Sequence, residues 1–180
     1  MKELKIDPKL QALFKPLPEK EIEELREKLL TKYDGTPLYI WQGKIIVDGH
    51  NRYPILKENN IDFLTTNVED FLGQDCTRAD VMQWMIAHQQ ARRNLSAGEL
   101  IFANSMVAEE IAIENKKKQL STLKQNQVNN RSVQMDKTES EVKSHTSPTH
   151  TREQVAKLSG VGTGTVARYD AVMKSDNEDL

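Results

Sequence analysis

Asp48, Gly49, His50, Asn51 and Arg52 stand together between the apolar run IIV and the helix-like stretch YPIL. These residue types suit three kinds of use. Asp48 or His50 can act as a general base or a metal ligand, which makes these two the catalytic candidates. A Gly-containing turn into a helix also presents backbone N–H groups at the positive end of the helix dipole, where a phosphate binds, and Arg52 adds a fork of donors. The third use is a plain strand-to-helix turn, which is common. One Asp and one His without further ligands make a weak metal site, so no metal ligands are assigned. Spacing alone leaves catalysis, phosphate binding and a structural turn open.

The segments around this stretch must position it. PLPEKEIEELREKLLTKYDG opens on Pro and acidic residues and carries Ile22, Leu25, Leu29 and Leu30 at helical spacing, which predicts an amphipathic helix ending at Asp34-Gly35. TPLYIW and IIVD flank the turn QGK and predict a β-hairpin. NRYPILKENN predicts a short helix from about Asn51 that tolerates Pro54 in its first turn, and DFLTTNVE predicts a third strand. Thr77 suits the cap of RADVMQWMIAHQQA, whose Val81, Trp84, Met85 and His88 lie along one side. These pieces make a small α+β domain over residues 1–95.

From residue 96 the pattern changes. Ser96 and Glu99 have capping-box spacing, and Leu100, Ala103, Val107, Ile111 and Glu114 follow a helical repeat, which predicts a long connecting helix over 96–123. Residues 124–150 hold almost no large apolar side chains and are rich in Asn, Gln, Ser and Thr, so burial cannot offset their ordering entropy; a flexible polar linker is expected there. Order returns in TREQVAKLSGVGTGTVARYDAVMK, residues 151–174, before an acidic tail over 175–180.

That last segment meets several requirements of a helix-turn-helix. Thr151 suits the first cap, Val155 and Leu158 an inward face, Ala156 the helix crossing and Gly160 the turn; Val161, Val166 and Tyr169 suit the contacts that hold the second helix. A helical hairpin without a DNA role obeys the same packing rules. In the DNA-binding reading, Thr163, Thr165 and Arg168 face the major groove of double-stranded DNA, while Arg152 and Lys157 touch its backbone. The glycines of GVGTGT lower helix propensity by roughly 1 kcal/mol at an interior position, so modest affinity is expected, with Thr163 as the cap of the second helix.

Composition narrows the partners. In 180 residues, 25 Lys and Arg stand against 27 Asp and Glu, so any nucleic-acid contact must come from a local basic face. Cys76 is the single cysteine, which excludes an intrachain disulfide and a cysteine zinc cluster and fits a reducing cytoplasm. No stretch approaches the roughly 20 apolar residues of a membrane span, and the N-terminus lacks the apolar core of a signal peptide. No membrane partner is expected.

In their order, GTPLYIWQGKIIVDGHNRYPILKENNI, HQQARRNLSAGEL and the helix-turn-helix pattern resemble the ParB family, more closely the short ParB-like proteins of plasmids, phages and mobile elements. The resemblance spans residues 5–115 and 150–174. It implies a ParB/sulfiredoxin-like N-terminal fold that in ParB binds CTP with magnesium and gates a clamp on DNA, and a partition ATPase as a partner. It also implies that Thr36 to Leu38 form a first nucleotide-contacting segment, that Gly49, His50, Asn51 and Arg52 wrap the phosphates, and that Gln89 and Arg92 complete the pocket. His50-Asn51 and His88-Gln89 stand where ParB has carboxylates that suit magnesium, which weakens the case for magnesium-dependent CTP hydrolysis. CTP or another nucleotide remains the expected cofactor. GHNR is similar to the sulfiredoxin loop but lacks its catalytic Cys. A ParB-fold nuclease or phosphotransferase acting through Asp48 to Arg52 is the alternative function. The chain ends soon after Lys174, so the C-terminal dimerisation domain usual in ParB is not expected.

Overall fold

The computed structural model describes residues 3–92, 94–129 and 148–178. They divide into two units, one running to Glu99 and one from Leu100 onward.

In the first unit, Asp7 caps helix α1 (Pro8–Gln11) through the backbone N–H groups of Lys9 and Leu10. Helix α2 (Glu19–Thr31) follows Pro18 and places Glu19 and Glu21 in its first turn, where negative charge opposes the positive helix end. Leu29 is buried, but Leu30 is 51% exposed rather than facing inward. Neighbouring positions on a helix point about 100° apart, and Leu30 falls on the solvent side of that step.

Strands β1 (Leu38–Trp41) and β2 (Ile45–Asp48) form the expected antiparallel hairpin. The connection holds Gln42 and Gly43 at φ 51° and 68°, left-handed values that suit the twist of a tight hairpin, and the Lys44 N–H donates to Trp41 O at 3.2 Å. Helix α3 (Arg52–Glu58) then crosses to β3 (Thr65–Asn67), which lies parallel to β1 and gives the sheet order β2-β1-β3. β3 is shorter than DFLTTNVE suggested. Its end turns into helix α4 (Glu69–Leu72), while Phe63 packs on the core. Lys5 adds a bridge beside β2.

The core of this unit gathers Leu29 of α2, Leu38 and Ile40 of β1, Ile46 of β2, and Tyr53, Ile55 and Leu56 of α3. The Tyr53 hydroxyl is buried but satisfied, accepting from Leu4 N–H at 3.0 Å and donating to Leu4 O at 3.3 Å. Helix α5 (Arg78–Gln90) starts on a capping box between Thr77 and Asp80 and packs against β2. It buries Val81, Met82, Met85 and Ile86, whereas Trp84 and His88 are only half-buried.

Ser96 and Glu99 form the expected capping box at the head of α6 (Ala97–Asn129). Helices α7 (Pro148–Ser159) and α8 (Thr163–Glu178) complete the second unit. Residues 124–129 of the expected linker continue α6 and 148–150 open α7; the rest of it lies outside the described residues. α7 begins on Pro148, a residue pre-set for the first helical position, so Thr151 lies inside the helix and is not its cap. Its C-terminus turns at Gly160 (φ 65°), and Val161 N–H donates to Ala156 O at 3.1 Å, the bond that closes a helix on a left-handed residue. Gly162, not Thr163, heads α8, since its carbonyl accepts from Thr165 and Val166.

Ile101 and Ala108 of α6, Val155 and Ala156 of α7 and Val166 of α8 make the second core, with Val161 and Tyr169 against it. Leu158 is 37% exposed, and Ser159 takes an inward position instead. There Asn104 Nδ2 donates to Leu100 O at 2.9 Å and to Ser159 Oγ at 3.1 Å, tying α6 to α7. Ser159→Ala leaves a buried amide short of a partner and is expected to destabilise this unit by about 1–3 kcal/mol, read as a lower urea midpoint with an unchanged slope.

Candidate functional site

β2 delivers Asp48 to the edge of the sheet, and the chain reverses at Gly49 with φ 106°. A Cβ on Gly49 would run into Leu38 Cδ2 and lie 3.4 Å from Arg52 Nη2. Leu38 is fully buried and cannot yield, so only glycine fits. The Gly49 carbonyl then accepts from Tyr53 N–H at 2.9 Å and starts α3.

Arg52, the first residue of α3, turns its guanidinium back under this loop. Nη1 donates to Thr36 O at 2.9 Å, and Nη2 donates to Pro37 O at 3.2 Å and to Asp48 Oδ2 at 3.3 Å. Arg92, from the turn after α5, donates through Nη1 to the same Asp48 oxygen at 2.9 Å. His88 Nε2 lies 3.9 Å from it. Two guanidiniums and an imidazole, from three places in the sequence, thus converge on one carboxylate oxygen. The Asp48 and Arg52 side chains are 14% and 13% exposed, and Arg92 is 49% exposed, so the cluster opens to solvent on the Arg92 side. Tyr33 donates its hydroxyl to Thr36 O at 2.6 Å, so that carbonyl receives two donors.

Of the residues expected from the sequence, Thr36, Asp48, Gly49, Arg52 and Arg92 come together. Leu38 forms the buried wall under Gly49 and offers no polar side chain. Asn51 is exposed and its side chain does not cap α3; Gln89 is half-buried and its carbonyl accepts from Arg92 N–H at 3.0 Å. His50 turns inward, and its Nε2 is buried without a hydrogen-bond partner.

The geometry changes the physical basis of the site. α3 is two turns long; Pro54 has no N–H, and that of Tyr53 is spent on Gly49. Positive charge here comes chiefly from guanidiniums rather than from a helix end. Asp48 is occupied by two of them, which leaves its Oδ2 poorly arranged to accept a proton from a substrate. Two guanidiniums on the one carboxylate also place positive charge where magnesium would need negative ligands, so these residues do not suit that ion. Among the described residues no group of three or more His, Cys, Asp or Glu is arranged to hold a metal.

One feature beside the cluster was not read from the sequence as a unit. Trp84 and His88 stack at 4.5 Å and 12°, Tyr39 packs against both at 5.1 and 5.2 Å, and Phe71 lies parallel to Trp84 at 6.4 Å. The i, i+4 spacing of Trp84 and His88 was the available signal; the arrival of Tyr39 and Phe71 depends on the sheet. Burial lowers the pKa of His50 and of His88 below the ordinary value of 6.5, against the opposing pull of Asp48. As pH falls through 6.5 the unfolded chain takes up these protons first, so stability present above 6.5 is lost below it. The urea midpoint of the first unit is expected to drop between pH 7 and 5, and His50→Gln is expected to flatten that dependence.

In the second unit, Lys157, Thr163 and Arg168 are exposed and Thr165 is half-buried. Arg168 Nε folds back on Gly164 O at 3.2 Å. Arg152 Nε pairs with Asp170 Oδ2 at 2.9 Å and braces α7 against α8.

No family model and no curated relative matches the sequence. Two solved structures of a pNOB8-like ParB N-domain, one of them in its C2221 form, are similar to it, each with a TM-score of 0.52 and 19% identity. The matches cover 93% and 91% of this chain and 60% and 63% of theirs, so the chain spans less than two thirds of their length. With a hairpin extended by a parallel third strand and flanked by helices, this chain has the fold of a ParB N-domain.

Proposed function

We propose that this chain is a ParB-like DNA-binding protein of a plasmid, phage or other mobile element, acting in partition or in control of the element's genes. α7 and α8 serve as its helix-turn-helix on double-stranded DNA. The observation that carries this reading is the head of α8, where Thr163 and Arg168 are exposed and Thr165 half-exposed beside a turn closed by left-handed Gly160. Hydroxyls and a guanidinium there suit phosphates and base edges. Lys157 adds a backbone contact, whereas Arg152, braced by Asp170, acts by positioning the two helices. A filter-binding titration with plasmid DNA tests this: affinity should fall with salt, and Arg168→Ala should reduce the log–log slope by about 1 if that residue neutralises a phosphate. Affinity independent of salt would remove the phosphate contacts from the reading. A partition ATPase is the protein partner this function calls for.

The first unit is proposed to take a nucleotide, CTP or another, or a simpler phosphate at Arg52, Arg92 and the Gly49–Arg52 loop. What supports it is the convergence of these cations on Asp48, a carboxylate that holds the place of an anion. Calorimetry with CTP, ATP, GTP and inorganic phosphate decides it: no heat with any of the three nucleotides would sink the nucleotide reading, and none with phosphate either would sink the anion site.

A further inference from the structure

α6 has two unlike sides. One holds Ile101, Asn104 and Ala108 in the packing with α7 and α8. On the opposite side, Phe102, Ile113 and Leu120 are 40%, 39% and 50% exposed, and on a 3.6-residue repeat they fall within about 20° of one another. Half-buried Met106 lies in the same row. Such a row is what one helix offers another. Every residue from 115 to 121 is exposed, so this stretch of the helix is covered by nothing among the described residues, and an uncovered helix is marginal in water.

Charge along α6 is sorted rather than mixed. Glu109, Glu110 and Glu114 come first, then Lys116, Lys117 and Lys118. Glu110 is buried and Glu114 lies off the row, so Glu109 is the acid beside it. A parallel copy would set Glu109 on Glu109 and lysine on lysine, while an antiparallel copy sets Glu109 on Lys116 and Lys117. The positions also match a two-fold axis, since Met106 and Leu120 lie seven residues either side of Ile113, and Glu109 and Lys117 lie four.

We infer that two copies of this chain pair antiparallel through the outer side of α6, with Ile113 on the two-fold axis, Leu120 of each against Met106 of the other, and Glu109 against Lys116 and Lys117. The contact is self-complementary, as a two-fold interface requires.

Sedimentation velocity of the full chain over a concentration range at low salt is expected to show a monomer–dimer equilibrium that weakens with salt. Ile113→Glu, at an exposed position, should give monomer with unchanged helical circular dichroism. Glu109→Lys alone, and Lys116→Glu with Lys117→Glu alone, should each give monomer, and mixing the two variants should restore dimer. In a Cys76→Ser background, Met106→Cys and Leu120→Cys should cross-link when mixed and not separately. A wild type that stays monomeric, an Ile113→Glu variant that stays dimeric, a charge-swapped mixture that stays monomeric, or a Met106→Cys chain that cross-links to itself as in a parallel pair would each overturn the inference.

Discussion

Gly49→Ala is expected to destabilise the first unit by about 2–4 kcal/mol, and Gly49→Val to leave it unfolded at room temperature. Two costs combine. At φ 106° any L side chain is strained, and the added Cβ meets Leu38 Cδ2, which belongs to a core with no space to retreat into. Gly43→Ala provides the control. It also has a left-handed φ, 68°, but nothing lies within 4 Å of its built Cβ, so only the backbone cost applies, about 1 kcal/mol. Urea unfolding followed by circular dichroism reads both. Equal losses at the two glycines would mean that the Leu38 contact contributes nothing.

Asp48→Ala is expected to cost about 3 kcal/mol, because it strips the carboxylate from a guanidinium that stays buried. Most of this is assigned to Arg52, since Arg92 is half exposed and water screens its share. Asp48→Asn, which keeps the shape and loses the charge, separates packing from electrostatics. The same variant should bind phosphate or nucleotide more tightly, since the anion no longer competes with a resident carboxylate for Arg52 and Arg92. If Asp48 were instead a general base or a metal ligand, Asp48→Asn would abolish a turnover or a metal-dependent signal and gain no anion affinity. A double-mutant cycle with Arg52→Gln, followed by urea unfolding, isolates the pair; a coupling near zero would mean that the ion pair does not organise the loop.

Most elements were legible because they rest on local rules. The Thr77 cap, the Ser96–Glu99 box, the Gln42–Gly43 turn and the left-handed Gly160 each depend on a few adjacent residues. Where the reading missed, distant packing had overridden a local preference. Leu158 has the periodicity of a core residue yet is partly exposed, because Ser159 is drawn inward by Asn104, 55 residues away. Thr151 has the chemistry of a cap, but Pro148 starts the helix earlier.

In the site, residue types and spacing were enough to single out Asp48, Gly49 and Arg52 in an α+β fold, and the resemblance to ParB added Arg92. They left open how those groups are used, since a sequence carries no distances between segments. Asp48 and Arg92 are 44 residues apart, and only the packing of α5 on β2 brings them to 2.9 Å. That contact turns Asp48 from a free acid into the occupied centre of a cationic cluster. His50, the residue whose type suggested catalysis, is half-buried and holds its Nε2 inward without a hydrogen-bond partner.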